Sequence, residues 1–250
     1  MAYDKIPPLD LMFFLTESPE SPKHVGGVQV FKLPENAPDN YLRDLVAAFK
    51  AATVVAPFNC RPHFPRFGMP EWRDDEEIEI DYHVRHSALP KPGSSAQLME
   101  VIQRLHGSLL DRRRPGWICQ VIEGLENDRF AIYTKIHHAY IDGMSGVKRM
   151  YGALSTDPAD TRIVTTWGFQ PAADDTPVRR ENRARSDSKL VRQAKGWLET
   201  AGFFTDISLQ WFKLRERKAQ IPYAAQRTRM NRPLEWETRS TAICTFELDR

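Results

Sequence analysis

Two apolar runs at residues 117–122 and 130–137, separated by Asn127-Asp128, constrain this 250-residue chain most. Asn and Asp tolerate the positive φ angles of tight hairpin turns, so the two runs are expected to pair as strands. A lone hairpin is marginal in water and needs more strands or a covering helix. The surrounding sequence supplies both. Residues 25–33 carry the β-favouring Val28, Val30 and Phe31, and Pro34 ends that run. Ile78, Ile80, Tyr82 and Val84 alternate with polar residues, which predicts a half-buried strand. Helical spacing follows Asp39-Asn40, with Leu42, Leu45, Val46, Phe49 and Ala52 on one face and Pro57 marking its latest end. It recurs after Ser94-Ser95, with Leu98, Val101, Ile102, Leu105 and Leu109, and again over residues 145–154. A Pro-rich connection runs between the first of these helices and about Pro70. Because strands and helices interleave, the expected fold is α/β, a sandwich built on a mixed sheet.

From residue 157 to 187 the periodicity dissolves into Thr, Pro, Ala, Asp and Arg, which reads as a linker. A long helical region is predicted from about 189 to 218, and residues 240–248 look like one further strand. The expected organisation is therefore a first domain over 1–156, a basic linker with connecting helices over 157–236, and the opening strand of another domain over 237–250. Charge divides along the same lines. Although the whole chain carries +2, residues 179–232 hold 14 Lys and Arg against 5 Asp and Glu, a net of +9, which leaves −7 elsewhere.

No stretch approaches the roughly 18 consecutive apolar residues of a membrane-spanning helix, and the start lacks a signal-peptide pattern. Three cysteines, at 60, 119 and 244, form no CxxC and no Cys/His ladder, which argues for a reducing compartment. A cytoplasmic location is expected. The basic region contains no nucleic-acid recognition motif, so no nucleic-acid partner is expected.

The segment with most chemical content is His137-His138-Ala139-Tyr140-Ile141-Asp142-Gly143, at the end of a predicted strand and before a predicted helix. A residue at the carboxyl end of a strand is well placed for chemistry, and an imidazole titrates near neutrality, so it accepts a proton from a hydroxyl or thiol. Asp142 suits pinning the local turn or an arginine, and Gly143 suits a turn that a side chain would obstruct. The same letters also fit a packed histidine beside a surface one. A metal site is a third reading, but adjacent residues of a strand face opposite ways, so a shared ion needs a third ligand and an irregular turn.

Residues 135–146, KIHHAYIDGMSG, resemble the HHxxxDG active-site motif of the bacterial wax ester synthase/diacylglycerol acyltransferase family, within the coenzyme A-dependent acyltransferase superfamily. Two more segments support the resemblance in family order: Pro8-Leu9-Asp10-Leu11-Met12-Phe13-Phe14, similar to the family's N-terminal signature, and Leu110-Asp111-Arg112-Arg113-Arg114-Pro115-Gly116-Trp117, similar to its PLW segment. Gly116 stands where the family usually has Leu, and looser local packing is expected there.

The resemblance implies one of two similar domains with the active site between them. It implies that His138 is the general base, deprotonating a fatty alcohol or diacylglycerol hydroxyl that then attacks a long-chain acyl-CoA thioester. Asp142 would be structural, holding an arginine and the turn, with His137 a supporting neighbour and Gly143 keeping the turn tight. Ile141 and Met144 are candidates for an acyl or alcohol pocket, Met144 fitting an ordinary core position better. No cofactor is implied, since acyl-CoA is a substrate. The family's second half, with its Asn-Asp motif, has no counterpart in these residues, so this stretch alone is expected to have little activity. Its partners would be the two substrates, the second half, and a membrane or lipid-droplet surface met peripherally by the Trp- and Phe-rich basic connector, whose aromatics also fit packing between the two domains. Two other readings remain open: the same fold with a different acceptor, as in condensation domains, and a non-catalytic lipid-binding or interaction domain.

Overall fold

The computed structural model describes residues 5–157 and 160–169. The expected connecting helices and the final strand lie outside the described residues. The element order is α1 (Pro8–Thr16), β1 (His24–Lys32), α2 (Tyr41–Ala51), β2 (Cys60–His63), β3 (Glu71–Asp74), α3 (Ile80–His83), β4 (Val84–Ala88), α4 (Ser95–Gly107), β5 (Trp117–Leu125), β6 (Arg129–His137) and α5 (Gly143–Gly152). β1, β6, β5 and β4 form one sheet in that spatial order. The β4–β5 pair is parallel and the other two pairs are antiparallel, so the sheet is mixed as expected.

The β5–β6 hairpin forms across Asn127 and Asp128, whose φ angles of 62° and 52° are the left-handed values that the sequence anticipates. β5 is a central strand covered on both faces, which is why its first six residues, all buried, read as a nearly continuous apolar run. On one face of the sheet, Trp117, Cys119, Val121, Phe130 and Ile136 pack with Leu42, Val46 and Phe49 of α2 and with Leu11 and Phe14 of α1. On the other, Ile122, Ala131 and Tyr133 pack with Leu98, Met99 and Ile102 of α4. That is the sandwich.

Ser94 caps α4 by accepting from the Gln97 amide at 3.3 Å, and the Gln97 side chain returns a 2.7 Å bond to the Ser94 amide. This reciprocal pair satisfies two donors that the helix start leaves open. The other end of α4 is closed from the sheet. Lys135 of β6, almost fully buried, donates to the carbonyls of Leu105 and Ser108 at 2.6 and 2.7 Å. A cation there complements the negative end of the helix, although burial still pulls the Lys135 ammonium down to about 8.

Two expectations are corrected, and one element appears that none anticipated. The alternation at 78–84 does not make a strand before Val84. Residues 80–83 instead form the helical turn α3, which points Tyr82 under the guanidinium groups of Arg85 and Arg114 and turns His83 into the core, stacked on Trp117 with ring centroids 4.5 Å apart. The Pro-rich connection contains a two-stranded sheet, β2–β3. Finally, α1 forms where no periodicity signals it, because Leu11, Met12, Phe13, Phe14 and Leu15 run consecutively. Pro8 at its first position supplies a pre-set helical φ.

Candidate active site

The HHxxxDG segment begins where β6 leaves the sheet, and backbone bonds hold it on both sides. The His137 amide donates to the Gly116 carbonyl at 2.8 Å, and the His138 amide donates to the Lys23 carbonyl at 2.8 Å. The Tyr140 amide then donates back to the His137 carbonyl at 2.9 Å, which closes a turn. The Tyr140 hydroxyl reaches the Cys60 carbonyl of β2 at 2.9 Å. The hairpin that the sequence hides in its Pro-rich stretch therefore anchors the motif.

The two histidines occupy different environments, and α1 separates them. Phe14 stacks on His137 with centroids 4.2 Å apart and an interplanar angle of 10°, while Phe13 stacks on His138 at 4.3 Å and 20°. His137 is 2 % exposed, and burial pulls its imidazole down to about 4, so the ring is neutral at pH 7. Its Nδ1 accepts from the Ala139 amide at 3.2 Å, and its Nε2 faces Glu17 Oε1 at 3.5 Å, long for a hydrogen bond. His138 is half-buried, and among the described residues no hydrogen bond engages its ring. Of the pair, it is the ring with both solvent exposure and uncommitted nitrogens among the described residues.

Two carboxylates lie within electrostatic reach of His138. Asp142 is exposed and is the N-cap of α5; its Oδ1 accepts from the Ser145 amide at 2.7 Å, and this bond holds its carboxyl below the usual carboxylate range. Asp10, one turn ahead of Phe13 on α1, has its carboxyl raised by burial, with His138 pulling it the other way. Asp142 holds the local turn through this cap. Among the described residues no arginine pairs with Asp142, and Arg149 of α5 instead donates to the Phe169 carbonyl at 2.6 Å.

The structure revises the expectations for Gly143, Gly116 and the core position of Met144. A Cβ added at Gly143 meets nothing within 4 Å, so no described residue obstructs a side chain there. Gly116 does not loosen the packing: a Cβ there would lie 2.6 Å from Tyr140 Cε2 and 3.1 Å from His137 Cβ, so glycine permits a close approach. Ile141 is buried in the core on the α1 and α2 side. Met144, which fitted a core position better in the sequence, is 71 % exposed on the first turn of α5. No group of three His, Cys, Asp or Glu among the described residues is arranged to hold a metal ion.

Sequence reasoning assigned no role to Glu17, Arg112 or the phenyl rings of α1. Phe13, Phe14 and Arg112 lie inside the segments quoted for the resemblance, and Glu17 follows three residues after the first of these. No periodic signal marks them, because their partners are distant in the chain.

The chain matches the family described as wax ester synthase/diacylglycerol acyltransferase catalytic domain over residues 6–250. It is 37% identical over 255 aligned positions to a probable diacylglycerol O-acyltransferase of Mycobacterium tuberculosis, covering 99% of this chain and 54% of that protein. It is 42% identical over 162 positions to the O-acyltransferase WSD of Acinetobacter baylyi, covering 64% of this chain and 34% of that one. The solved wax ester synthase/diacylglycerol acyltransferase of Marinobacter aquaeolei superposes with a TM-score of 0.62 at 38% identity, over 65% of this chain and 41% of the other. The chain thus spans about half the length of the curated relatives it matches.

Proposed function

Because the chain belongs to the wax ester synthase/diacylglycerol acyltransferase catalytic-domain family, we propose that it is the histidine-bearing half of an O-acyltransferase. It moves a long-chain acyl group from acyl-CoA to a fatty alcohol or a diacylglycerol. The observation that carries this reading is the division of labour in the histidine pair: His137 is buried and neutral, while the His138 ring is half-buried with both ring nitrogens uncommitted among the described residues. A general base must reach the proton it removes, and only His138 meets that requirement.

In this mechanism the His138 imidazole takes the acceptor hydroxyl proton as the oxygen attacks the thioester carbonyl. The C–O bond forms, the C–S bond breaks, and the imidazolium returns the proton to the leaving coenzyme A thiolate. Phe13 fixes the plane of the ring. Asp142 acts through the start of α5, whose amide it caps, and not on the substrate. The reaction calls for no cofactor beyond the acyl-CoA substrate. The second half completes the site over the open face that bears Gly143 and Met144.

Both organic substrates partition into lipid, so contact with a membrane or lipid-droplet surface is peripheral. No helix among the described residues is long and apolar enough to cross a membrane. Sedimentation with anionic liposomes at low salt tests the contact, and absence of binding removes it.

The test of function supplies long-chain acyl-CoA and a fatty alcohol to the polypeptide joined to its second half and follows thiol release. His138→Ala is expected to lower the rate by roughly 10²–10⁴-fold. Full activity in that variant defeats the mechanism.

A further inference from the structure

The chain buries a carboxylate directly behind the histidine pair. Glu17, the C-cap residue of α1, has a side chain only 1 % exposed. Arg112 grips its Oε2 with Nε at 3.1 Å and Nη2 at 3.0 Å, and the same Nη2 donates to the Phe14 carbonyl at 2.6 Å. The other oxygen, Oε1, accepts from the Lys23 amide at 3.4 Å and faces His137 Nε2 at 3.5 Å. The Arg112 side chain is 42 % exposed while the carboxylate is buried, so the pair partly compensates the cost of burying Glu17 and contributes little net stability of its own.

Geometry ties that pair to His138. The Ala139 amide donates to His137 Nδ1, so the imidazole side chain itself closes the turn that contains His138. The bond requires a bare Nδ1 and hence a hydrogen on Nε2, opposite Glu17 Oε1. If the hydrogen moved to Nδ1, two N–H groups would face each other and the turn would keep only its Tyr140 amide to His137 carbonyl bond. We propose that Glu17 and Arg112 are positioning residues for the acyl transfer. The pair holds His137 in its Nε2–H tautomer, and His137 in turn holds the peptide from which His138 projects.

Removing the carboxylate leaves the Arg112 guanidinium within electrostatic reach of His137 without its counter-charge, which favours a bare Nε2 and a hydrogen on Nδ1. Misplacing a reacting group by about 1 Å is sufficient to cost on the order of 10²-fold in rate.

This inference rests on the reading of His138 as base, and the two are tested separately. Imidazole ¹⁵N shifts of His137 are recorded at pH 7 in the wild-type chain and in Glu17→Gln. Wild type should show one neutral tautomer with hydrogen on Nε2, and the variant should show that tautomer lost or mixed. In the polypeptide with its second half, Glu17→Gln is expected to lower kcat by at least about 10-fold with KM for acyl-CoA changed by less than about 2-fold. Arg112→Lys, which cannot form the two-pronged grip, should show a smaller loss of the same kind. In a His137→Asn background the Glu17→Gln effect on kcat should disappear. A single Nε2–H tautomer in Glu17→Gln, an unchanged kcat, or an undiminished effect in the His137→Asn background overturns the proposal. A wild type without acyl transfer defeats the functional reading instead, and the ¹⁵N measurement still decides the positioning role.

Discussion

Gly116→Ala adds one methyl group at the point where the strand β5 region, the histidine turn and Tyr140 converge. The new Cβ would stand 2.6 Å from Tyr140 Cε2 and 3.1 Å from His137 Cβ, whereas ordinary contact begins near 3.4 Å. Something must shift by roughly 1 Å. The Tyr140 ring is poorly placed to do so, since its hydroxyl is bonded to the Cys60 carbonyl and its ring edge meets Trp72 at 4.7 Å between centroids. His137 is pinned by Phe14 on one face and by the Ala139 amide at its edge. Overfilling a packed core typically costs about 1–3 kcal/mol. For a chain of this size each kcal/mol lowers the melting temperature by roughly 2–4 °C, so a drop on the order of 5 °C is expected. Gly143→Ala is the matched control: its Cβ meets nothing, and its melting temperature should stay within about 2 °C of wild type. Thermal unfolding followed by far-UV circular dichroism measures both. If Gly116→Ala melts with the wild type, Tyr140 and His137 yield freely and the turn is not tightly packed.

Asp142→Ala should cost about 1 kcal/mol by removing the α5 cap, whereas Asp142→Asn, which preserves a capping oxygen, should cost a few tenths at most; urea midpoints distinguish the two, and equal losses would refute the capping role. Acid should weaken the fold in a defined window. His24 and His137 are both pulled to about 4 by burial, below the ordinary histidine value of 6.5, so between these limits the unfolded chain binds protons that the folded chain excludes. Stability is full above pH 6.5 and falls as pH drops toward 4. A urea midpoint unchanged between pH 7 and pH 5 contradicts the neutral assignment of these rings.

Elements with a strong local code were legible in the sequence. Asn127-Asp128 has little alternative to a tight turn between two apolar runs, and Ser94 with Gln97 three residues on is a helix start written in side-chain donors and acceptors. The motif's position was legible for the same reason: His137 and His138 end a recognisable strand, and Asp142 precedes a recognisable helix. The reading of 78–84 failed because a turn of helix and a strand both place apolar residues on one side over so short a span. Tertiary contacts then decided, through Trp117 stacking on His83 and two guanidinium groups over Tyr82. The burial of Ile141 and the exposure of Met144 were not legible either, since so short a span carries no information about which side of a turn the core lies on.

The sequence by itself determined the α/β class, the order of most elements, and the family, because hydrophobic period, capping residues and motif spacing are local properties that survive without coordinates. It named the histidine pair, and the resemblance gave its members different roles, but it did not carry the physical difference between the two rings. That difference exists only in the tertiary structure, where α1 lays Phe13 on one ring and Phe14 on the other, and where Glu17 and Arg112, separated by 95 positions, meet behind His137. Burial of that ring and freedom of its neighbour depend on desolvation and on contacts between distant segments, and neither quantity is carried by adjacent letters in a chain.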